Sequence, residues 1–295
     1  MAARPARLIA TLAWVLALAV LSGVARPAPA QSAQPASRIV SLVPAVTEIL
    51  FAVGAGPQVV AVSSFDKFPP AVEKLTRVGA LLNPDTERIL SLRPNLVIVY
   101  GSQAELLAQF KQAGIPIFVY RHGGLSDTLD SITAIGAATG HAAGAATVVS
   151  GLRARLDMLR RRVAGRAKPR TLLVISREPG TLRGLYASGG IGFLHDLLEL
   201  AGGSNVFADV REESVQPSQE TLLTRRPDVV VELHPRPEMA DAAEARRAWS
   251  PLVSVPAVRA NRVHPLGGAY LVTAGPRLGD AAEAIGRALH PEAFK

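Results

Sequence analysis

Seven side chains that could hold a small molecule lie at the ends of predicted β-strands or in the loops between them. They are Phe65, Tyr100, Arg121, His122, Tyr186, His234 and Tyr270. Aromatic residues make up only 5% of the chain, yet several collect at these places. Their rings could stack on a large planar molecule, and histidine or tyrosine can ligate haem iron. For any one ring, covering the edge of the hydrophobic core is an equally good explanation.

Motifs for covalent, phosphate or metal chemistry do not occur in the sequence. We find no G-x-S-x-G nucleophile elbow, no G-x-x-x-x-G-K-[ST] phosphate loop, no H-E-x-x-H and no His, Glu and Asp cluster with metal-ligand spacing. The chain has no cysteine, which excludes thiol catalysis. We therefore expect a binding protein and no enzyme, with no metal site. A hydrolase or lyase acting in a cleft and a scaffold for other proteins are the alternative classes.

The elements that must position these side chains alternate between strand and helix. The predicted strands cover residues 38–43, 59–62, 96–100, 117–120, 170–176, 229–232 and 262–266, and the predicted helices cover 47–53, 104–113, 191–201 and 276–289. Such alternation indicates parallel sheets with helices on both faces. Ligands bind at the carboxyl ends of the strands in folds of this kind.

A long helix interrupts the alternation in the middle of the chain. Residues 142–163 carry apolar residues at helical spacing, and no strand is predicted between residues 126 and 165. The fold class that follows is α/β, with two Rossmann-like lobes joined by one long backbone helix. We place the N-terminal lobe at 38–140, the bridging helix at 141–168 and the C-terminal lobe at 169–295. A helical connector is stiff, so we expect limited hinge motion.

An internal repeat supports two similar lobes. Asn83–Val97 reads NPDTERILSLRPNLV, and Gln216–Val230 reads QPSQETLLTRRPDVV. Glu87 corresponds to Glu220 in this alignment, and each lies in the first turn of a predicted helix. Two copies are too few for a solenoid.

The N-terminus has the layout of a secretory signal. Arg4 and Arg7 precede an apolar run over 8–24, and Ala28-Pro29-Ala30 provides a cleavage site. We predict a cleaved signal peptide at 1–30, a linker at 31–37 and a periplasmic protein; an uncleaved anchor is the alternative. Without cysteine the chain cannot be a lipoprotein. The net charge of +8 comes mainly from a basic helix over 153–170, which we interpret as a solvated face and no nucleic-acid site.

Several runs resemble the periplasmic binding proteins for cobalamin and iron chelates. They are RIVSLVPAVTEILFAVGAG at 38–56, VSSFDKFP at 62–69, Val78-Gly79 leading into Glu87, and FLHDLLELAGGSNVF at 193–207. The resemblance covers nearly all of the chain after the signal. It implies a monomeric substrate-binding protein of an ABC importer, with a permease and its ATPase subunits as partners. It also implies that Glu87 and Glu220 dock onto permease arginines, although a helix dipole alone would favour acids there.

The resemblance is specific for the family and leaves the ligand open. We expect cobalamin or a related corrinoid as the transported ligand, with no other cofactor, because the candidate pocket residues are mostly uncharged and aromatic. Phe65, Tyr100 and Tyr186 keep an aromatic residue where the cobalamin binders have one. Leu81 and Ser214 stand where those proteins carry tryptophans, so two contacts differ.

Two other ligands stay open. Haem is the second candidate, with Tyr186, His234 or Tyr270 as its axial ligand. A ferric siderophore is the third, and an anionic one would call for arginines in the cleft. The arginines available by position are Arg121, Arg177 and Arg183.

Overall fold

The computed structural model of the protein describes residues 35–295. The predicted signal peptide and residues 31–34 of the predicted linker lie outside the described residues. Residues 35–295 form one compact unit, and none of its helices is long and apolar enough to cross a membrane.

The first lobe is built on a parallel five-stranded sheet in the order β3-β2-β1-β6-β7, beside the small antiparallel hairpin β4-β5. Its strands are β1 (Ile39–Ser41), β2 (Val59–Val62), β3 (Thr76–Arg77), β4 (Gly79–Ala80), β5 (Asn83–Pro84), β6 (Leu96–Tyr100) and β7 (Ile117–Tyr120). Its helices are α1 (Pro44–Val53), α2 (Thr86–Ser91), α3 (Ala104–Gln112) and α4 (Leu125–Thr139). The core clusters show that α1 and α4 pack on one face and that α2 and α3 pack on the other.

One long helix, α5 (Ala142–Val163), follows and bridges the lobes, as the sequence predicted. Its buried residues Val149, Leu152, Leu156 and Leu159 recur at helical spacing and join the core cluster that runs through both lobes. At Gly144 an added Cβ would come within 2.1 Å of the Val53 carbonyl oxygen, so the close approach of α5 to α1 requires glycine there.

The second lobe has a six-stranded sheet in the order β11-β9-β8-β12-β13, with β10 also pairing β8. Its strands are β8 (Arg170–Ser176), β9 (Tyr186–Ser188), β10 (Ser204–Asn205), β11 (Ser214–Val215), β12 (Val229–His234) and β13 (Val263–Gly267). Its helices are α6 (Phe193–Leu200), α7 (Gln219–Arg225), α8 (Ala242–Trp249), α9 (Pro256–Arg259) and α10 (Leu278–Leu289). The two-lobed α/β fold class is therefore observed.

The second sheet departs from a purely parallel one at its edge. β9 runs antiparallel to β8, and β11 runs antiparallel to β9. The loop between β8 and β9 spans residues 177–185, which is too short for the crossover that a parallel pair needs.

The first strand is also shorter than predicted. Residues 38–43 were expected to be extended, but β1 covers only Ile39–Ser41 because Pro44 is the first residue of α1. Proline is well suited to that position, since its missing N–H has no partner in the first turn of a helix.

The internal repeat is visible as matched hydrogen bonds. Arg38 donates from Nη2 to the Leu92 carbonyl at 2.7 Å, and Arg170 donates from Nη2 to the Arg225 carbonyl at 2.7 Å. Leu92 and Arg225 occupy equivalent positions in the repeat. The two lobes thus share a local arrangement at the start of β1 and β8.

Candidate functional site

A cavity of about 360 Å³ lies where the carboxyl ends of strands from both lobes meet. Ile175 and Ser176 come from the end of β8, His122 comes from just after β7, and Val272 follows β13. The other lining residues belong to the second lobe: Tyr186, Ile191, Gly192, Phe193, Leu194, Glu213 and Ser214. This edge of the sheets is where α/β proteins bind ligands.

Two of the seven predicted ligand residues line this cavity. Tyr186 is the first residue of β9 and is 43% exposed, so its ring is free to stack on a bound molecule. The His122 ring lies edge-to-face against Phe193, with centroids 5.2 Å apart. Phe193 is buried at the start of α6, and it fixes the position of His122 in the cavity wall.

The cavity wall is mostly apolar, and no lysine or arginine lies among its described lining residues. Its one carboxylate is Glu213. Burial, and then the charge of Glu213, raise the pKa of Tyr100 above its usual value. Burial also raises the pKa of Tyr120, whose ring is 5.4 Å from that of Tyr100. Both phenols therefore stay neutral at physiological pH.

Arg177 follows β8 but is held inside the second lobe. Its guanidinium donates to Glu232 at 2.6 and 3.0 Å and to Glu244 at 2.9 and 2.7 Å. The side chain is only 3% exposed. Hydrogen bonds from Arg177 lower the pKa of Glu244 to about 2, against the opposing effect of burial. With both carboxylates in place, Arg177 is not available to an anionic ligand.

His234 ends β12 beside the same buried carboxylate. Its Nε2 lies 3.4 Å from Glu232 Oε2, and its side chain is 15% exposed. Glu232 also accepts a hydrogen bond from Trp249 Nε1 at 2.7 Å. His234 thus contacts the ion-pair network and does not line the cavity.

Tyr270 lies at a contact between the lobes. Glu48 of α1 accepts hydrogen bonds from Arg277 at 2.8 and 2.5 Å. The Arg277 guanidinium carbon is 4.0 Å from the centroid of the Phe68 ring and 5.7 Å from that of Tyr270. Tyr270 therefore supports this inter-lobe ion pair and is outside the cavity lining.

The remaining predicted ligand residues lie at the carboxyl edge of the first sheet. Phe65 is 67% exposed in the loop after β2, Arg121 is exposed directly after β7, and Tyr100 is half-buried at the end of β6. None of the three is among the residues that line the cavity.

The two positions at which the resemblance led us to expect tryptophan fall in different places. Ser214 lines the cavity between the lobes. Leu81 lines a second cavity of about 480 Å³ on the first lobe, where the Gln103 side chain donates to the Leu81 carbonyl. The replacement at Ser214 therefore leaves a small polar side chain in the wall.

Sequence reasoning missed several wall residues. Glu213 lies in the run Arg211-Glu212-Glu213, which has the composition of an exposed loop and gives no signal for a site. Val272 ends a short 3-10 helix after the buried Leu271, and Ile191 lies between glycines, so neither has a pattern that separates a wall residue from a core residue. Phe193 could have been found, because it lies in the first turn of the predicted helix 191–201, close to a glycine-rich run.

The two glutamates that the resemblance assigned to docking occupy equivalent places. Glu87 is the second residue of α2, and Glu220 is the second residue of α7. Asp85 and Ser218 cap these helices. Both glutamates are exposed, which leaves their carboxylates accessible from outside.

Residues 39–270 match the periplasmic binding protein family. The vitamin B12-binding protein of Yersinia pestis (strain Pestoides F) is 30% identical over 231 residues, which is 78% of this chain and 80% of that protein. The solved structure of the periplasmic vitamin B12-binding protein BtuF of Vibrio cholerae is 29% identical with a TM-score of 0.74, covering 88% of this chain and 99% of that one. The periplasmic heme-binding protein RhuT of Roseiflexus sp. RS-1 is 28% identical with a TM-score of 0.74, covering 87% and 99%.

Proposed function

This chain belongs to the periplasmic binding protein family, and from that premise we propose that it captures cobalamin or a related corrinoid for an ABC importer. After removal of its signal peptide it acts in the periplasm as a monomer. It binds the ligand between its lobes and delivers it to a permease that carries ATPase subunits, docking through Glu87 and Glu220.

The charge of the cavity wall is the observation that carries the choice of ligand. A largely apolar wall that carries Glu213 and has no lysine or arginine among its described lining residues suits a bulky ligand without carboxylates better than an anionic chelate. Of the arginines that could serve a siderophore, Arg177 is buried between two carboxylates. Arg183 is paired with Glu178 at 2.9 Å and is largely exposed. Of these three arginines, only Arg121 has no carboxylate partner among the described residues.

The relatives support the same ligand class. The Yersinia and Vibrio proteins named above are both called vitamin B12-binding. All three named relatives are binding proteins, which favours a binding role over an enzymatic one. Incubation of cyanocobalamin with the protein should return it unchanged.

Haem is the second candidate, supported by one feature of the wall. Tyr186 presents a partly exposed phenol to the cavity, and tyrosine is a known axial ligand of haem iron. The Roseiflexus relative is named for heme binding. His234 is less suited to this role because its Nε2 lies beside Glu232.

Calorimetric titration of residues 31–295 with cyanocobalamin tests the proposal. We expect one ligand per chain and a sub-micromolar Kd, which corresponds to about −8 kcal/mol or stronger. Tyr186→Ala should weaken this binding about tenfold, whereas Tyr186→Phe keeps the ring and should bind nearly as well as the wild type. Val253→Ala, at a 64% exposed position outside the cavity lining, is the matched control.

A parallel titration with haemin, followed by its absorption spectrum, separates the two candidates. Saturable haemin binding that Tyr186→Phe abolishes, together with no heat from cyanocobalamin, would replace cobalamin by haem. Absence of binding to both would leave the corrinoid proposal wrong.

A further inference from the structure

Each lobe carries an exposed leucine next to its exposed glutamate. Leu90 in α2 is 41% exposed and Leu223 in α7 is 40% exposed. They follow Glu87 and Glu220 by three residues, so each leucine lies on the same face of its helix as the glutamate. We call Glu87 with Leu90, and Glu220 with Leu223, the Glu–Leu pairs.

Packing inside the lobes does not require these leucines. The preceding residues, Ile89 and Leu222, are 0% and 1% exposed and anchor the two helices in their cores. Leu90 and Leu223 lie on the solvent-exposed side of the two helices. A single exposed leucine is common on protein surfaces. Here, however, each copy of the repeat has a leucine at the equivalent position, and the two are nearly equally exposed.

The two copies have diverged at the neighbouring exposed positions. Asp85 corresponds to Ser218, and Ser91 corresponds to Thr224. All four are exposed. Among the positions inside these helices that are exposed in both copies, only the Glu–Leu pairs are identical. Just beyond the helices Arg93 and Arg226 are also identical, and their shared left-handed backbone gives a local reason for that, whereas no contact within the lobes, as described over residues 35–295, accounts for the Glu–Leu pairs.

We propose that the two Glu–Leu pairs form one docking surface, in which each leucine enters an apolar pocket beside a basic side chain of the permease. The partner is a dimer of two similar permease subunits, each receiving one pair. This inference rests on the proposed function and adds to it a second, apolar contact in each lobe.

The two members of a pair have different physical roles. Exposed carboxylates attract a basic partner over a distance and mainly raise the association rate, an effect that salt screens. A leucine that becomes buried on docking contributes through removal of apolar surface from water, which salt does not screen. The leucines therefore hold the complex after the glutamates have guided it.

The test measures the Kd between the full mature chain and the permease–ATPase complex from the same organism in lipid nanodiscs, at low and high salt. The variants are Leu90→Ala with Leu223→Ala, Glu87→Ala with Glu220→Ala, and Met158→Ala as the control. Met158 is 55% exposed on α5, so its substitution by alanine removes similar apolar surface at another place. Cyanocobalamin affinity and thermal unfolding show whether each variant keeps its fold and its cavity.

The leucine double variant should raise the Kd for the complex about tenfold or more at both salt concentrations, as expected for truncation of buried interface anchors. Each single leucine variant should give a smaller and similar loss. The glutamate double variant should lose affinity chiefly at low salt. Met158→Ala should match the wild type, and cyanocobalamin binding should be unchanged in all of them.

Two results separate this inference from the function on which it rests. If the glutamate variant weakens docking and the leucine variant does not, the apolar contact is wrong and the importer role stands. If the wild type does not bind the complex at all, the proposed function is wrong together with the docking surface. Self-association of the wild type that the leucine variant abolishes would identify a second copy of this chain as the occupant and would also overturn the proposal.

Discussion

Glu244→Gln should destabilise the protein at neutral pH, and the effect should shrink as the pH falls. Glu244 accepts hydrogen bonds from Arg177 and from the Gly180 backbone N–H at 2.7 Å. These contacts lower the pKa of Glu244 from 4.5 to about 2. A carboxyl group with a lowered pKa stabilises the folded state above its unfolded pKa, and that contribution is lost as pH falls through the folded pKa.

The size of the effect follows from the shift. At 1.36 kcal/mol for each pKa unit, the difference corresponds to about 3 kcal/mol at neutral pH. The Glu244 side chain is 24% exposed, so solvent screening reduces this, and we expect about 2–3 kcal/mol. Glutamine keeps the shape and cannot ionise. Its NH2 group replaces one of the two accepting oxygens, which adds a loss that does not depend on pH, so the part of the gap that changes with pH reports the charge.

Urea unfolding at a series of pH values between 7 and 2 measures the contribution. The stability gap between wild type and Glu244→Gln should be largest near pH 7 and should narrow below pH 4.5. Glu238→Gln is the control, because Glu238 is 69% exposed and lies 3.8 Å from Arg236. A gap that is the same at pH 7 and near pH 2 would refute the assigned charge contribution. Cyanocobalamin affinity should not change, because the network lies outside the cavity lining.

Two further substitutions test the contacts around the cavity. Glu48→Ala should lower the free energy of unfolding by about 3 kcal/mol in urea titrations, because it leaves the Arg277 guanidinium without its inter-lobe partner. Adding Arg277→Met should recover part of that loss. A double variant that recovers nothing would contradict an ion-pair origin. Gly190→Ala should lower the thermal midpoint by an amount equivalent to about 1–3 kcal/mol, because its Cβ would lie 2.3 Å from the Ala208 carbonyl oxygen; an unchanged midpoint would mean that this turn can shift freely.

The sequence predicted the elements whose signal is local. β2, β6, β7 and β8 have the predicted bounds. The helix α5 covers Ala142–Val163, where apolar residues recur at helical spacing, and ends before residue 168, where we placed the end of the bridging helix. The strands are continuous apolar runs bounded by turn residues, and α5 repeats apolar residues at helical spacing. Burial on one or both faces produces such patterns directly. The alternation of these elements then indicated the two-lobed α/β fold.

The local signal is absent where tertiary contacts decide the structure. Arg93 and Arg226 adopt left-handed backbone angles, with φ of 48° and 47°, which a non-glycine residue rarely does. Arg177 follows a strand end just as a ligand-binding arginine would. Only the positions of Glu232 and Glu244 show that its guanidinium is already paired with two carboxylates. These partners come from distant parts of the chain, so spacing alone gives no indication of them.

Contacts between the two lobes limit how far the cleft can open. The Glu48–Arg277 ion pair joins them beside the cleft, and the Leu125 backbone N–H donates to Asp196 at 2.7 Å near its base. The helix α5 packs against helices of both lobes along its length. Wide opening would break these buried contacts, so ligand exchange through small movements of the cavity walls is favoured. Under the docking that we propose, one Glu–Leu pair per lobe would let the permease hold both lobes while the ligand leaves.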